Sequence, residues 1–217
     1  MIDHCLALVR QHDKDRFLAS LYAPENKHAA LFGLYAFNIE IIRVRSLVSE
    51  PHIGLIRYQW WCDTIAAIYG SKTADHPVAQ GLARAIETGN LPQAPLQNLI
   101  TAREFDLYDD PMPDIQTLEG YLGETSSALI QMASLILGEH NAEAAGLAGV
   151  AYGLARMHVH EAQARKRLGQ ARAHKIPKTA FPAFLPASLT ELYLDHPQPS
   201  QFRRQVRLWW AARQERF

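Results

Sequence analysis

The chain has 217 residues, 48% of them hydrophobic, with 22 Lys+Arg against 22 Asp+Glu. That is long enough for one sizeable core, too apolar for a disordered chain, and too neutral for a generally basic nucleic-acid binder. The zero is an average: residues 1–157 carry 11 basic and 18 acidic side chains, net −7, and residues 158–217 carry 11 basic and 4 acidic, net +7. Such asymmetry hints at an anionic partner or membrane surface.

Read in chain order, almost every segment has helical period and no strand-like alternation appears. The opening MIDHCLALVRQHDKDR lacks the basic and apolar blocks of a signal peptide. Residues 3–19 are predicted as a first helix with Leu6, Val9, Phe17 and Leu18 toward the core. Pro24 sits at a helix start, and residues 25–48 follow as a long helix stopped by Ser49-Glu50-Pro51. Residues 52–69 form a third helix with Ile53, Ile56 and Trp60 on one stripe, closed by Gly70. Helices over 77–88 and 95–108 flank the turn Gly89-Asn90-Leu91-Pro92, and Asp114 caps a helix over 115–137. In the Ala/Gly-rich run 142–157, Gly146, Gly149 and Gly153 recur at helical spacing. Each glycine costs about 1 kcal/mol against alanine in a helix, so the run points to close helix–helix approach. A basic helix over 160–174, the Pro-punctuated IPKTAFPAFLP, a short helix near 188–194 and a final helix over 200–216 complete the chain. The expected fold is all-α, a single-domain helical bundle over residues 1–217. Two cysteines, Cys5 and Cys62, without CxxC or Cys/His spacing, support neither a disulfide framework nor zinc. No apolar run reaches membrane-spanning length. The expected location is cytoplasmic, or peripheral on the inner face of a membrane.

Three groups of residues can carry chemistry. Asp106, Asp109 and Asp110 would lie on one helix face at spacings of three and four, as a Mg²⁺–diphosphate site requires. Pro111 and Pro113 follow at once, so a solvated acidic helix end is the plainer reading. In the long helix, Asn38, Glu40, Arg43 and Arg45 interrupt an apolar sequence, either as buried polar groups that mark a site or as a solvent-facing stripe. In the last helix, Phe202, Val206, Trp209 and Trp210 form one face, with Arg203, Arg204, Arg207 and Arg213 largely elsewhere. Arginine with tryptophan on an amphipathic helix suits an anionic membrane interface; a terminal helix docking its tryptophans into the core is the alternative.

Four stretches, CLALVRQHDKDRFLASLYAP, LYAFNIEIIRVRSLVSEPHIGLIRYQWWCDTI, AREFDLYDDPMPDIQTLEGYLGETSSALIQMASLILG and AHKIPKTAFPAFLP, resemble the squalene/phytoene synthase family, which has the all-α isoprenoid synthase fold. The resemblance is nearest to the degenerate branch that includes the mitochondrial complex I assembly factor, and FNIEIIRVRSLVSEPHIGLIR carries it most specifically. Active members join two prenyl diphosphates held through Mg²⁺ by two aspartate-rich motifs. In the resemblance the first motif follows Tyr35-Ala36-Phe37, and its aspartates fall at Ile42, Arg43 and Ser46. Arginine cannot ligate Mg²⁺ and repels it. The second motif belongs after the Gly/Ala helix, where this chain passes from GLARM to HVHEAQARKRLGQAR; a block is missing at 157/158. Tyr121 matches a tyrosine that lines the family's reaction cavity, and Asp106 an aspartate of its Met-Asp-Leu stretch.

The resemblance implies a catalytically degenerate protein with no metal site. It would bind an isoprenoid or lipid, or assist assembly of a membrane complex by contacting a subunit. Asn38, Glu40, Arg43, Arg57, Trp60 and Tyr121 are the expected pocket residues, and Arg203, Arg204, Arg207, Trp209 and Trp210 the expected membrane-facing ones. The alternative is an active Mg²⁺-dependent prenyl transferase working through Asp106, Asp109, Asp110, Tyr121 and Glu40. Homo-oligomerisation is a further expectation, because swapping between two copies could fill the missing block.

Overall fold

In the computed structural model, which describes residues 2–72, 75–108 and 110–217, the regular elements are all helical. In chain order they are α1 (Ile2–His12), α2 (Lys14–Ser20), α3 (Glu25–Leu47), α4 (Pro51–Tyr69), α5 (Pro77–Gly89) and α6 (Gln93–Glu104). Then come α7 (Ile115–Leu122), α8 (Ala128–Ile136), α9 (Ala142–Met157), α10 (Glu161–Arg172), α11 (Phe181–Phe184), α12 (Thr190–Asp195) and α13 (Gln201–Gln214).

The centre is α3. Leu31, Phe32, Leu34, Tyr35, Phe37, Ile39, Ile41 and Val44 are all buried, so the helix has no solvent stripe over most of its length. A helix that is apolar all round belongs inside the bundle, and α1, α4, α5 and α8 pack against it. Its closest crossing is with α5: a Cβ on Gly33 would lie 2.1 Å from the Gly81 carbonyl oxygen, so only glycine permits this approach.

The helices outnumber those expected, because local signals cut two of the longer segments. Asp13 ends the first one: its carboxylate accepts from the Arg16 backbone N–H at 3.1 Å and opens α2 as an N-cap. Between α7 and α8 the backbone widens into a π turn at Gly123–Ser127, where the Thr125 hydroxyl donates to the Tyr121 carbonyl at 2.7 Å. Asp114 caps α7 as predicted, accepting from Thr117 N–H at 2.7 Å. The Ala/Gly helix α9 packs on that π turn. A Cβ on Gly149 would meet Ser127 Cα at 2.3 Å and one on Gly153 would meet Leu122 at 2.4 Å, whereas Gly146 has open space.

Helix α4 departs from expectation. Its stripe of Ile53, Ile56 and Trp60 faces solvent, and the opposite face of Gly54, Tyr58, Trp61, Thr64 and Ile65 is buried. Gly54 receives the Leu107 side chain, and Tyr58 shares its hydroxyl proton between the carbonyls of Arg103, at 3.2 Å, and Ile41, at 3.4 Å. Those contacts fix the rotation of the helix and leave the isoleucines outside.

Candidate functional site: the Asp106 cluster

The acidic segment does not form one helical face. Helix α6 ends at Glu104, a 3₁₀ turn spans Phe105–Leu107, and Asp110 lies beyond it; Asp109 is outside the described residues. The turn swings Asp106 toward α7. There Tyr121 donates its hydroxyl to the carboxylate, at 2.9 Å from Oδ1 and 3.1 Å from Oδ2. Arg103, one turn before Asp106, donates Nη1 to Oδ2 at 3.0 Å and to the Tyr121 hydroxyl at 2.5 Å. Its guanidinium carbon also stands 5.3 Å from the Tyr121 ring centroid, close enough for a cation–π contact. Burial, with help from the Asp106 carboxylate, raises the Tyr121 phenol well above an ordinary tyrosine, although Arg103 opposes the shift. The same two causes, burial first, push Tyr58 up to about 12. Both phenols therefore stay protonated and serve as hydrogen-bond donors.

Beside this cluster lies an open cleft of about 430 Å³ lined by Phe105, Asp106, Asp110, Pro111, Met112, Tyr121 and Met157. It is within the size range of small-molecule sites. Its walls are mostly apolar, and its polar groups are Asp106, already held by Arg103 and Tyr121, and the exposed Asp110. Sequence reasoning missed Arg103, although its spacing of three from Asp106 was a usable signal.

Of the six expected pocket residues, Tyr121 lines this cleft and the other five do not. Asn38 is buried in α3 with its Oδ1 unpartnered among the described residues. Arg43 pairs with Glu40 at 3.3 Å, half-exposed near the end of α3. Arg57 and Trp60 stand exposed on α4, where Trp60 packs edge-on against Trp61 and His76. The three positions for the first aspartates hold an exposed Ile42, the paired Arg43, and Ser46, whose hydroxyl donates to the Arg43 carbonyl at 2.8 Å. An apolar group, a cation and an internally bonded hydroxyl do not fit a Mg²⁺ ion, which prefers carboxylate and water oxygens.

A second polar cluster was invisible in the sequence. Asp15, at 1% exposure, accepts hydrogen bonds from Tyr152 at 3.0 Å, Arg156 at 3.1 Å, Arg204 at 2.7 Å and Tyr193. It ties α2 to α9, α12 and α13. Nearby, Arg207 donates to the Ser188 carbonyl at 3.0 Å and to Glu191 at 2.9 Å, and Arg172 holds the same carboxylate at 2.7 Å. Arg204, expected at a membrane face, thus points inward to Asp15, and Arg207, also expected there, is half-exposed and held sideways by Glu191 and Ser188. Arg203, Trp209 and Trp210 are exposed.

No helix among the described residues is long and apolar enough to cross a membrane. The chain joins α9 to α10 through His158-Val159-His160, with both histidines in the left-handed region.

The chain is similar to complex I assembly factor 6 of NADH dehydrogenase (ubiquinone) from Homo sapiens, 38% identical over 137 residues, covering 63% of this chain and 41% of the relative. The Bos taurus protein is also 38% identical, over 135 residues covering 62% and 40%. A homolog from Dictyostelium discoideum is 26% identical over 123 residues. The chain thus spans about two fifths of the length of these human and bovine relatives. Among solved structures, a dehydrosqualene synthase aligns with a TM-score of 0.78 at 13% identity, over 99% of this chain and 95% of that one. Squalene synthase HpnC from Alicyclobacillus acidocaldarius aligns with a TM-score of 0.66 at 15% identity, over 98% and 93%. At such identities the likeness establishes the fold. The squalene/phytoene synthase model matches residues 9–158, up to the junction before α10. With that match over more than half its length, the chain belongs to the squalene/phytoene synthase family.

Proposed function

We propose that this chain works by binding rather than by prenyl transfer, and that it assists assembly of a membrane-bound NADH dehydrogenase, the role its curated relatives are named for. The observation that carries the reading is the side-chain set at Ile42, Arg43 and Ser46. Head-to-head condensation releases diphosphate, whose departing charge needs metal and carboxylates opposite it. Here a guanidinium, neutralised by Glu40, takes the place of a ligand. The Asp106 carboxylate does not compensate, because Arg103 and Tyr121 already occupy both its oxygens. The cleft beside it, with Phe105, Met112 and Met157, suits an isoprenoid or lipid chain.

The test has two parts. The pure protein, incubated with Mg²⁺ and farnesyl or geranylgeranyl diphosphate, should release no diphosphate. Turnover lost in an Asp106→Asn/Asp109→Asn variant would instead establish the prenyl transferase. In cells lacking the gene, native gels should show less assembled NADH dehydrogenase, restored by the wild-type chain. An unchanged complex would refute the assembly role.

A further inference from the structure

We propose that the outer face of α13 docks on an anionic lipid surface. The rotation of this helix is fixed from the inside. Leu208 and Ala211 are buried, Arg204 is drawn to Asp15, and Arg207 to Ser188 and Glu191. An amphipathic helix on a globular protein ordinarily turns its apolar stripe to the core. This one turns Arg204 inward, ties the half-exposed Arg207 to the neighbouring Glu191, and leaves Phe202 73% exposed, Trp209 and Trp210 each 49% and Val206 38%. The four residues fall at i, i+4, i+7 and i+8, one continuous face of a 14-residue helix.

Charge decides what covers that face. Helix α13 contains no Asp or Glu. Arg203 and Arg213 lie beside the aromatic stripe and Arg216 just past the end of the helix; all three are exposed, and none pairs with a carboxylate among the described residues. Arg213 lies over the Trp209 ring at 5.9 Å, and the two tryptophan rings meet edge to face at 5.3 Å. Indole rings settle at the boundary between headgroups and acyl chains, and unpaired guanidiniums beside them meet lipid phosphates. A helix of this length, about 21 Å, lies along the surface rather than across it. The face complements phosphate in charge and acyl chains in polarity. It does not depend on whether the chain retains catalysis.

The experiment uses the full chain with vesicles of phosphatidylcholine alone, or with a third of the lipid as phosphatidylglycerol. The protein should co-sediment with the anionic vesicles, bind the neutral ones far less, and be released as salt is raised. Phe202→Ser/Trp209→Ser should weaken binding at least tenfold. Each of Arg203→Gln, Arg213→Gln and Arg216→Gln should weaken it about fivefold, as expected for a basic residue near an anionic surface. All these side chains face solvent, and circular dichroism checks that the variants stay folded. Absent binding, equal binding to both vesicle types, or binding that survives Phe202→Ser/Trp209→Ser would overturn the proposal. If vesicles are ignored while that double variant lowers the amount of assembled NADH dehydrogenase in cells, the face is a protein interface instead.

Discussion

Removing the charge of Asp15 while keeping its shape, with Asp15→Asn, probes the network that orients α13. The carboxylate is 1% exposed and accepts from two tyrosines and two arginines. Stripping one partner from a buried ion pair costs about 3–5 kcal/mol. Arg156 is half exposed and recovers water, so its share falls to about 0–1 kcal/mol, typical of a surface pair. Arg204, at 18% side-chain exposure, recovers little, and its Nε is already buried without a partner among the described residues. Asparagine retains one acceptor for the tyrosines. The expected net loss is about 2–3 kcal/mol, which in a chain of this size lowers Tm by about 4–12 °C. Arg204→Met alone should cost less, because Asp15 keeps Arg156 and both phenols. The double variant should be more stable than additivity predicts by at least about 1 kcal/mol. Urea unfolding of the four proteins, followed by circular dichroism, measures the cycle. Additivity within about 0.5 kcal/mol, or an Asp15→Asn protein as stable as wild type, would refute this account.

The glycines of α9 separate packing from propensity. Gly149→Ala drives a methyl into the Ser127 backbone and should cost about 3 kcal/mol, while Gly146→Ala, with open space, should gain up to about 1 kcal/mol from helix propensity. Equal effects in thermal melts would remove the close-approach reading of this helix. Alkaline stability follows from the phenols. Burial, reinforced by Asp15, pushes Tyr193 up to about 12, burial and Asp106 do the same for Tyr58, and burial with Asp15 raises Tyr152 as well. Since an unfolded tyrosine titrates near 10, the stabilisation they give is intact below pH ~10 and lost progressively toward pH ~12. On the acid side, hydrogen bonds from Arg167 hold Glu119 below the usual glutamate range, and those from Arg172 do so for Glu191. That contribution is present above pH ~4.3 and lost as pH falls below it. Unfolding midpoints measured from pH 3 to 12 should fall at both ends; a flat alkaline limb would contradict the phenol burial.

Much of this fold was legible because its signals are local. The all-round apolarity of α3, the Asp114 cap and the stop at Pro51 act within a single element, and the glycine at 149 marks a close approach without naming its partner, Ser127; each sits as read. What the sequence concealed was direction. Periodicity identifies the apolar side of a helix without saying which way that side turns, and α4 and α13 both turn theirs outward. The cause is the same in each. On α4, Tyr58 reaches carbonyls 17 and 45 residues away; on α13, Arg204 reaches Asp15 across 189 residues and Arg207 reaches Ser188. Leaving such a group buried and unsatisfied costs about 1–3 kcal/mol, more for a charge, whereas exposing an isoleucine or phenylalanine forfeits about 1.5–3 kcal/mol at full burial and less when half covered. Two or three polar anchors therefore outweigh a partly covered apolar stripe, and their partners lie too far along the chain for any pattern to reveal. The same imbalance gives the outward stripe of α13 its meaning. A helix that leaves apolar area in water for the sake of its anchors recovers that area wherever a lipid surface covers it.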